Sequence, residues 1–413
     1  MASNKSKIIL SLTLAVISLS VAGCSANSQK IPLSSKNEAS SSITGSQTQK
    51  DSSLTPEKQI TYKSGFISTE GSKMIDSNGN QVNISGINWF GFETAQLSPH
   101  GLDVGSLGGY LDKIKELGYN TIRLPFSNEM FDEGKTAQNV DIGLNPDLKG
   151  LKPIEIMDKL VEESGKRGLK IILDRHRPDS SQQSELWYTN KYSEERWISD
   201  WVKLAERYKG NPTVIGADLH NEPHGKATWG SQDAATDWRM AAEKCGNAVL
   251  DANPDWLIIV EGIEVYDNQY NWWGGNLIGA GKYPVKLKNP NKLVYSIHEY
   301  GPEIYEQPYF KDPSFPANMQ SRWQKYWGYL SENNIAPVLI GEFGGIDIMG
   351  SGAEGKWYKA LSDYIKNQKL NWTFWCLNPD SGDTGGILLD DWYTVNEKKQ
   401  ELVKALQYPF MDR

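Results

Sequence analysis

The sequence predicts a single (β/α)8 barrel, in which eight parallel strands close into a cylinder surrounded by helices. Beyond about residue 61, short apolar runs alternate with amphipathic segments, and eight such runs are present. Most of them end in polar side chains, as strands do where they reach the mouth of a barrel. A doubly wound open sheet is the alternative for the same elements. No Gly-rich loop typical of phosphate or dinucleotide binding precedes the helical segments, which favours the barrel.

The composition is that of a soluble globular enzyme or binding protein. Of the 413 residues, 38% are hydrophobic and 23% charged, which is enough apolar mass for a large core. The formal net charge of −8 argues against nucleic acid as a partner, because nucleic-acid binding requires clustered Lys and Arg. The 15 Trp and 19 Tyr, many of them beside Gly, Asn or Pro, favour a ligand with flat apolar faces.

The N-terminal segment has the layout of an export signal. In "MASNKSKIILSLTLAVISLSVAGC", Lys5 and Lys7 precede an apolar run that is too short to span a membrane comfortably. The ending "VAGC" resembles the lipobox of bacterial lipoproteins, so we predict a lipoprotein signal peptide at 1–23 and lipidation of Cys24. An ordinary signal peptide with a chance cysteine is the alternative. We expect an extracytoplasmic protein, secreted or held at the membrane only through its lipid.

Residues 24–60 are rich in Ser, Thr, Gln and Lys, which predicts a flexible linker ahead of a catalytic domain at 61–413. The domain begins with "GFISTEGSKMIDSNGNQVNIS", which alternates around Asn78-Gly79 and predicts a β-hairpin at the bottom of the barrel. "LGGYLDKIKELG" and "IEIMDKLVEESGKRG" are predicted helices, each ending at a Gly. The eight predicted strands are Val82–Trp89, Asn120–Pro125, Leu169–Asp174, Thr213–Leu219, Trp256–Val260, Leu293–Ile297, Pro337–Ile340 and Asn371–Cys376.

The ends of these strands carry the candidate functional residues, because barrel active sites lie at the C-terminal ends of the strands. They are Trp89, Arg123, Asp174, Arg175, His176, Asn221, Glu222, Glu261, His298, Tyr300, Glu342 and Trp375. Glu222 follows the fourth strand and Glu342 the seventh, and these strands face each other across a barrel mouth. Two carboxylates in a cleft lined with aromatic side chains are what glycoside hydrolysis requires.

The motifs "LGYNTIRLPFS", "LDRHRPD", "DLHNEPH", "LIGEFG" and "LNPDSGDTGG" together resemble glycoside hydrolase family 5, and closely its bacterial endo-β-1,4-glucanase branch. The resemblance covers residues 61–413. It implies a retaining double displacement on a β-1,4-linked glucan, with Glu222 as acid/base and Glu342 as nucleophile. We expect a monomer without cofactor. It also assigns supporting roles to Arg123, His176, Asn221, His298 and Tyr300, and makes Trp375 an active-site residue.

The chemistry gives each group an expected task. Arg123 should lower the pKa of Glu342, Tyr300 should donate a hydrogen bond to that carboxylate, and Glu222 should stay protonated in the free enzyme. Asn221 is expected to donate to the sugar 2-hydroxyl. Trp89, Trp272, Trp273 and Trp375 are the candidates for stacking on sugar rings.

The sequence is also compatible with three other interpretations. His220 and His224 have the spacing of two zinc ligands on a helix, but Asn221 and Pro223 do not fit the zinc-protease pattern, so we expect no metal. A sugar-binding lipoprotein without catalysis would suit the aromatics equally well, although it would not need both carboxylates. β-Mannanase or xyloglucanase activity is the alternative within catalysis.

Cys245 and Cys376 are expected to be buried free thiols.

Overall fold

Eight parallel strands form a closed barrel at the centre of the fold, which confirms the predicted fold class. The computed structural model describes residues 65–411, so the predicted signal peptide, Cys24 and the linker lie outside the described residues. The strands are β1 Ser68–Glu70, β2 Lys73–Ile75, β3 Gln81–Val82, β4 Ser85–Asn88, β5 Thr121–Ser127, β6 Lys170–Arg177, β7 Val214–Asp218, β8 Leu257–Glu261, β9 Val265–Tyr266, β10 Gln269–Tyr270, β11 Leu293–His298, β12 Val338–Glu342 and β13 Asn371–Phe374.

The barrel order is β4-β5-β6-β7-β8-β11-β12-β13, with β13 pairing back to β4. The helices are α1 Leu107–Glu116, α2 Pro153–Arg167, α3 Glu194–Arg207, α4 Trp238–Ala252, α5 Asn318–Trp323, α6 Tyr329–Glu332, α7 Ala353–Gln368 and α8 Glu397–Lys404. Both predicted helices are present, and left-handed Gly168 (φ 76°) ends α2 as a C-terminal glycine should. No helix within residues 65–411 is long and apolar enough to cross a membrane.

Each predicted strand overlaps one barrel strand, but the first prediction joined two elements. The segment 82–89 is divided between β3, in a separate sheet, and β4 of the barrel. At the break, the backbone N–H of Ile84 donates to the side chain of Asn371 (2.9 Å), at the start of β13, and not to the backbone of a neighbouring strand. The barrel therefore begins at Ser85.

The predicted N-terminal hairpin is present and has a third strand. β1, β2 and β3 form an antiparallel sheet, and the Asn78-Gly79 turn joins β2 to β3. The Asp76 carboxylate accepts the backbone N–H of Asn78 and of Asn80 (2.8 Å each), while Gly79 supplies a positive φ of 81°. Ile67, Met74 and Ile84 pack in one apolar cluster with barrel residues such as Ile172 and Leu339, so the sheet closes one end of the barrel. The functional side chains lie at the other end.

The two cysteines of the described domain are confirmed as buried free thiols. Burial raises the pKa of both Cys245 and Cys376 well above its ordinary value, which keeps the reactive thiolate form rare.

Candidate active site

Arg123, on β5, is the electrostatic centre of the barrel mouth. Its side chain is fully buried and forms ion pairs with four carboxylates, those of Asp174, Asp218, Glu261 and Glu342. Its five N–H groups are all used, since it also donates to Asn88 Oδ1 (3.1 Å) and Asn221 Oδ1 (2.9 Å). A guanidinium held at every donor is rigid, and so are the groups that it contacts.

Glu342, the last residue of β12, is held at both carboxylate oxygens. Arg123 Nη1 donates to Oε1 (2.6 Å) and the Tyr300 hydroxyl donates to Oε2 (2.8 Å). The predicted contacts of Arg123 and Tyr300 with Glu342 are thus confirmed. A carboxylate fixed in this way cannot rotate away from the cleft, as an attacking group requires.

Glu222 lies opposite, beyond the end of β7, and keeps 13% of its side chain exposed. His298 stands between the two carboxylates: its Nδ1 is 2.8 Å from Glu222 Oε1 and 3.4 Å from Glu342 Oε2. One oxygen of Glu222 and one of Glu342 lie within 4.8 Å of each other. Retaining glycosidases separate their carboxyl groups by about 5–5.5 Å, and inverting enzymes by about 6.5–9.5 Å.

The protonation of this pair differs from the prediction. Burial raises the pKa of Glu342, and the charges of His298 and Arg123 only partly offset it. Burial also acts to raise the pKa of Glu222, but the hydrogen bond and charge of His298 lower it overall. Arg123 does lower the pKa of Glu342 as predicted, but burial outweighs it. The expected protonation of Glu222 is not favoured, because His298 stabilises the charged form of that carboxylate. Glu261 and Glu342 raise the pKa of His298 well above its usual value against the effect of burial, so this imidazole carries a proton beside Glu222.

The backbone of Glu222 is held in an unusual conformation. Its φ of 52° is left-handed, which costs about 1–2 kcal/mol for a residue with a Cβ. Two side chains hold the peptide groups on either side: Glu261 Oε2 accepts the N–H of Glu222 (2.8 Å), and His224 Nδ1 lies 2.6 Å from its carbonyl oxygen. Non-glycine residues in this conformation cluster at functional sites.

His176 and Asn221 reach the same cleft. His176 Nδ1 is 2.6 Å from Asp174 Oδ2, and burial lowers the pKa of this imidazole to about 4, so it is neutral at pH 7. The Asn221 side-chain oxygen accepts from Arg123, which turns its Nδ2 group the other way. That buried Nδ2 has no hydrogen-bond partner among residues 65–411 and is free to donate to a sugar hydroxyl.

Three of the four predicted stacking tryptophans lie at the mouth. Trp375 is half-buried and stacks in parallel with His176 (5.4 Å between ring centroids) and with Phe90 (5.5 Å). Trp272 packs edge-on against Tyr300 (6.0 Å), beside Glu342. Trp273 is 43% exposed and stacks on His224 at 3.8 Å.

Trp89 does not stack on a sugar, and this prediction is wrong. The side chain is fully buried, packs against Tyr110 of α1 (5.4 Å) and donates its indole N–H to the His100 carbonyl (3.1 Å). The reason is the alternation of side chains along a strand: Asn88 points into the barrel to reach Arg123, so the next residue points out to the helices.

Four residues of the site have roles that the sequence analysis does not predict. Asp174, Asp218 and Glu261 surround Arg123, and His224 contacts the backbone of Glu222 and the ring of Trp273. Asp174 and Glu261 were visible as strand ends, yet a strand end alone does not tell a supporting carboxylate from a reacting one. Burial raises the pKa of Asp174 and of Asp218 to about 7, against the effect of Arg123.

Two overlapping triplets within residues 65–411 have the geometry to hold a cation: Asp174, His176 and Glu342, and Glu222, His298 and Glu342. Both share Glu342, whose Oε1 is already 2.6 Å from the Arg123 guanidinium, so a metal ion would meet a fixed positive charge there. The His220 and His224 rings do not converge. His220 Nδ1 accepts from Arg175 (2.8 Å), and His224 turns to the Glu222 carbonyl.

Comparison with protein families matches residues 75–381 to the model of cellulase, glycosyl hydrolase family 5. Among curated proteins, an endoglucanase of Paenibacillus polymyxa is 55% identical over 348 residues, which cover 84% of this chain and 88% of that protein. The major extracellular endoglucanase of Xanthomonas campestris pv. campestris is 41% identical over 339 residues, covering 81% of this chain and 69% of its own length.

Solved structures agree with this match. The catalytic domain of the Xanthomonas campestris enzyme superposes with a TM-score of 0.79 at 40% identity, covering 82% of this chain and 99% of that one. A complex of a variant endocellulase from Pyrococcus horikoshii with cellotetraose superposes with a TM-score of 0.78 at 40% identity, covering 84% of this chain and 99% of that one.

Proposed function

Because the chain belongs to glycosyl hydrolase family 5, the cellulase family, we propose that it is an endo-β-1,4-glucanase that cleaves with retention through Glu342 and Glu222. The observation that supports retention is the short distance between the two carboxylates: one oxygen of Glu222 and one oxygen of Glu342 lie within 4.8 Å of each other. So close an approach supports the spacing of about 5–5.5 Å between carboxyl groups in retaining enzymes over the about 6.5–9.5 Å of inverting enzymes. The proposed activity is the cleavage of internal bonds of cellulose or related β-glucans.

In the first step Glu342 attacks the anomeric carbon while Glu222 protonates the departing glycosidic oxygen. Arg123 and Tyr300 aim the attacking carboxylate, and Asn221 Nδ2 donates to the 2-hydroxyl as positive charge develops on the ring. The products are an α-glycosyl ester on Glu342 and a free oligosaccharide carrying the transferred proton. In the second step Glu222 removes a proton from water, which attacks the same carbon and releases a β-configured sugar.

His298 supplies Glu222 with its acidic proton. The two groups share one proton across 2.8 Å, and its transfer from Nδ1 to Oε1 converts imidazolium and carboxylate into imidazole and carboxylic acid with no net change of charge. When a sugar displaces water from the cleft, the charged pair loses solvation, which favours this transfer. The lowered pKa of Glu222 in the free protein is therefore compatible with its role as acid.

Trp272, Trp273 and Trp375 supply the apolar platforms that hold a glucan across the mouth. The substrate assignment is tested by reducing-end release by residues 61–413 from carboxymethylcellulose, galactomannan and xyloglucan at equal mass. We expect strong cleavage of carboxymethylcellulose and weak cleavage of the other two polymers. Preferential cleavage of galactomannan or xyloglucan would overturn the glucan assignment, and binding of carboxymethylcellulose without cleavage would favour a sugar-binding lipoprotein.

The sequence of the N-terminal segment supports export of the enzyme and a lipid tether to the membrane. We propose that Cys24, at the end of "VAGC", carries lipid after removal of residues 1–23, and that residues 24–60 connect the barrel to the membrane. Expressed in a bacterium that processes lipoproteins, the wild-type chain should sediment with membranes and be released by detergent, whereas Cys24→Ser should remain soluble. Identical fractionation of both chains, with no acyl mass on Cys24, would contradict the tether.

A further inference from the structure

His224 connects two parts of the site that lie on different loops. It follows Glu222 by two residues, and its ring lies flat against Trp273 with 8° between the planes and 3.8 Å between the centroids. Its Nδ1 is 2.6 Å from the carbonyl oxygen of Glu222. A carbonyl oxygen only accepts, so Nδ1 is the donor. The same ring therefore contacts the backbone of the acid/base residue and one face of an exposed indole.

The loop that carries Trp273 is packed directly on Glu222. The backbone N–H of Gly274 donates to the Pro223 carbonyl (3.3 Å), and a Cβ on Gly274 would lie 3.2 Å from Glu222 Cα and 2.3 Å from Glu261 Oε2. Only glycine fits there. The loop that carries Trp273 is thus in direct contact with the left-handed backbone of Glu222.

We propose that His224 is a positioning residue that couples the Trp273 platform to the direction of the Glu222 carboxyl. This inference rests on the proposed function, because it requires Glu222 to be the acid that protonates the leaving group. Trp273 lies on the same side of the cleft as Glu222, since His224 contacts both. A leaving-group sugar stacked on Trp273 presses the indole against His224 and holds the Glu222 carbonyl in place. The acid is then aimed best when the sugar that it must protonate is bound.

Two substitutions separate the two contacts of the His224 ring. His224→Phe keeps a flat ring for Trp273 but has no donor for the Glu222 carbonyl. His224→Asn keeps a donor near the place of Nδ1 but has no ring to stack. Two substrates show whether the acid is affected. The leaving group of 2,4-dinitrophenyl β-cellobioside departs without a proton, whereas the leaving group of cellotetraose needs one.

We expect His224→Phe to lower kcat on cellotetraose at least about tenfold, with KM within about twofold of wild type. We expect His224→Asn to raise KM for cellotetraose at least about threefold and to leave kcat within about twofold, because one stacking contact is lost. Both variants should keep kcat/KM on the dinitrophenyl substrate within about twofold, since glycosylation there needs no acid. Thermal unfolding of each variant checks that the domain is folded.

The coupling is overturned if His224→Phe lowers activity on both substrates equally, if the two variants behave alike, or if neither differs from wild type. Should either variant fail to fold, Trp273→Ala replaces it, because that side chain is exposed. It should raise KM for cellotetraose and spare the dinitrophenyl substrate, and an equal loss on both would overturn the proposal. A wild-type chain inactive on both substrates would instead refute the proposed function itself.

Discussion

The Glu342→Gln variant is expected to cleave cellotetraose at least about 10²-fold more slowly than wild type in kcat/KM. The amide has nearly the shape of the carboxylate but lacks the negative charge that attacks the anomeric carbon. Folding should survive, because Arg123 retains its contacts with Asp218, Glu261, Asn88 and Asn221. Near-wild-type activity would refute the assignment of the nucleophile.

A matched control and a rescue make this test specific. Glu206→Gln, at an exposed position on α3, should leave activity unchanged. With 2,4-dinitrophenyl β-cellobioside, Glu342→Ala plus azide should give an α-glycosyl azide, since azide attacks from the face that the carboxylate vacated. Glu222→Ala plus azide should give the β-azide, because the ester on Glu342 forms first and is then displaced. The opposite products would exchange the two roles.

Arg123→Met is expected to destabilise the barrel by about 3–5 kcal/mol at pH 7.5, the usual cost of removing one partner from a buried ionic cluster. Four buried carboxylates lose their shared cation. Arg123 lowers the pKa of Asp174 and of Asp218, so its contribution is present where these groups are ionised and declines as the pH falls and they take up protons. The penalty should therefore be smaller at pH 5.

Urea unfolding of wild type and Arg123→Met at pH 7.5 and pH 5 measures the change in the free energy of unfolding. Arg167→Met is the control, because the partly buried Arg167 pairs with Asp112 (2.7 Å) and Glu163 (2.8 Å), which solvent reaches. Solvent-exposed pairs contribute about 0–1 kcal/mol. An Arg123→Met penalty equal to that of the control, or one that grows towards pH 5, would contradict the role of Arg123 as the cluster's counterion.

Much of the fold was predictable because parallel barrel strands are buried on both faces and read as short apolar runs. All eight were located, and their polar ends identified the mouth. The error at 82–89 arose because β3 and β4 follow each other without a turn signal, and only the side chain of Asn371 reveals where pairing changes. Such a contact spans almost 290 residues and leaves no local pattern.

The candidate site was predictable in its residues and less so in its electrostatics. Glu222 and Glu342 stand out because burying a carboxylate at the end of an apolar strand costs free energy. Such a residue therefore indicates a function. The side-chain alternation that buries Trp89 was readable in principle, once Asn88 is assigned to the interior. The sharing of Arg123 among four carboxylates and the place of His298 between the two glutamates depend on three-dimensional positions, so the pKa order was not predictable.

The most direct test of retention by Glu342 and Glu222 is the anomeric configuration of the first product. Proton NMR spectra recorded in the first minutes of cellopentaose cleavage distinguish the β from the α reducing end before mutarotation mixes them. We expect the β signal to appear first, with the α signal growing at the rate of mutarotation. An initial α signal would mean direct displacement by water and would contradict the covalent role of Glu342.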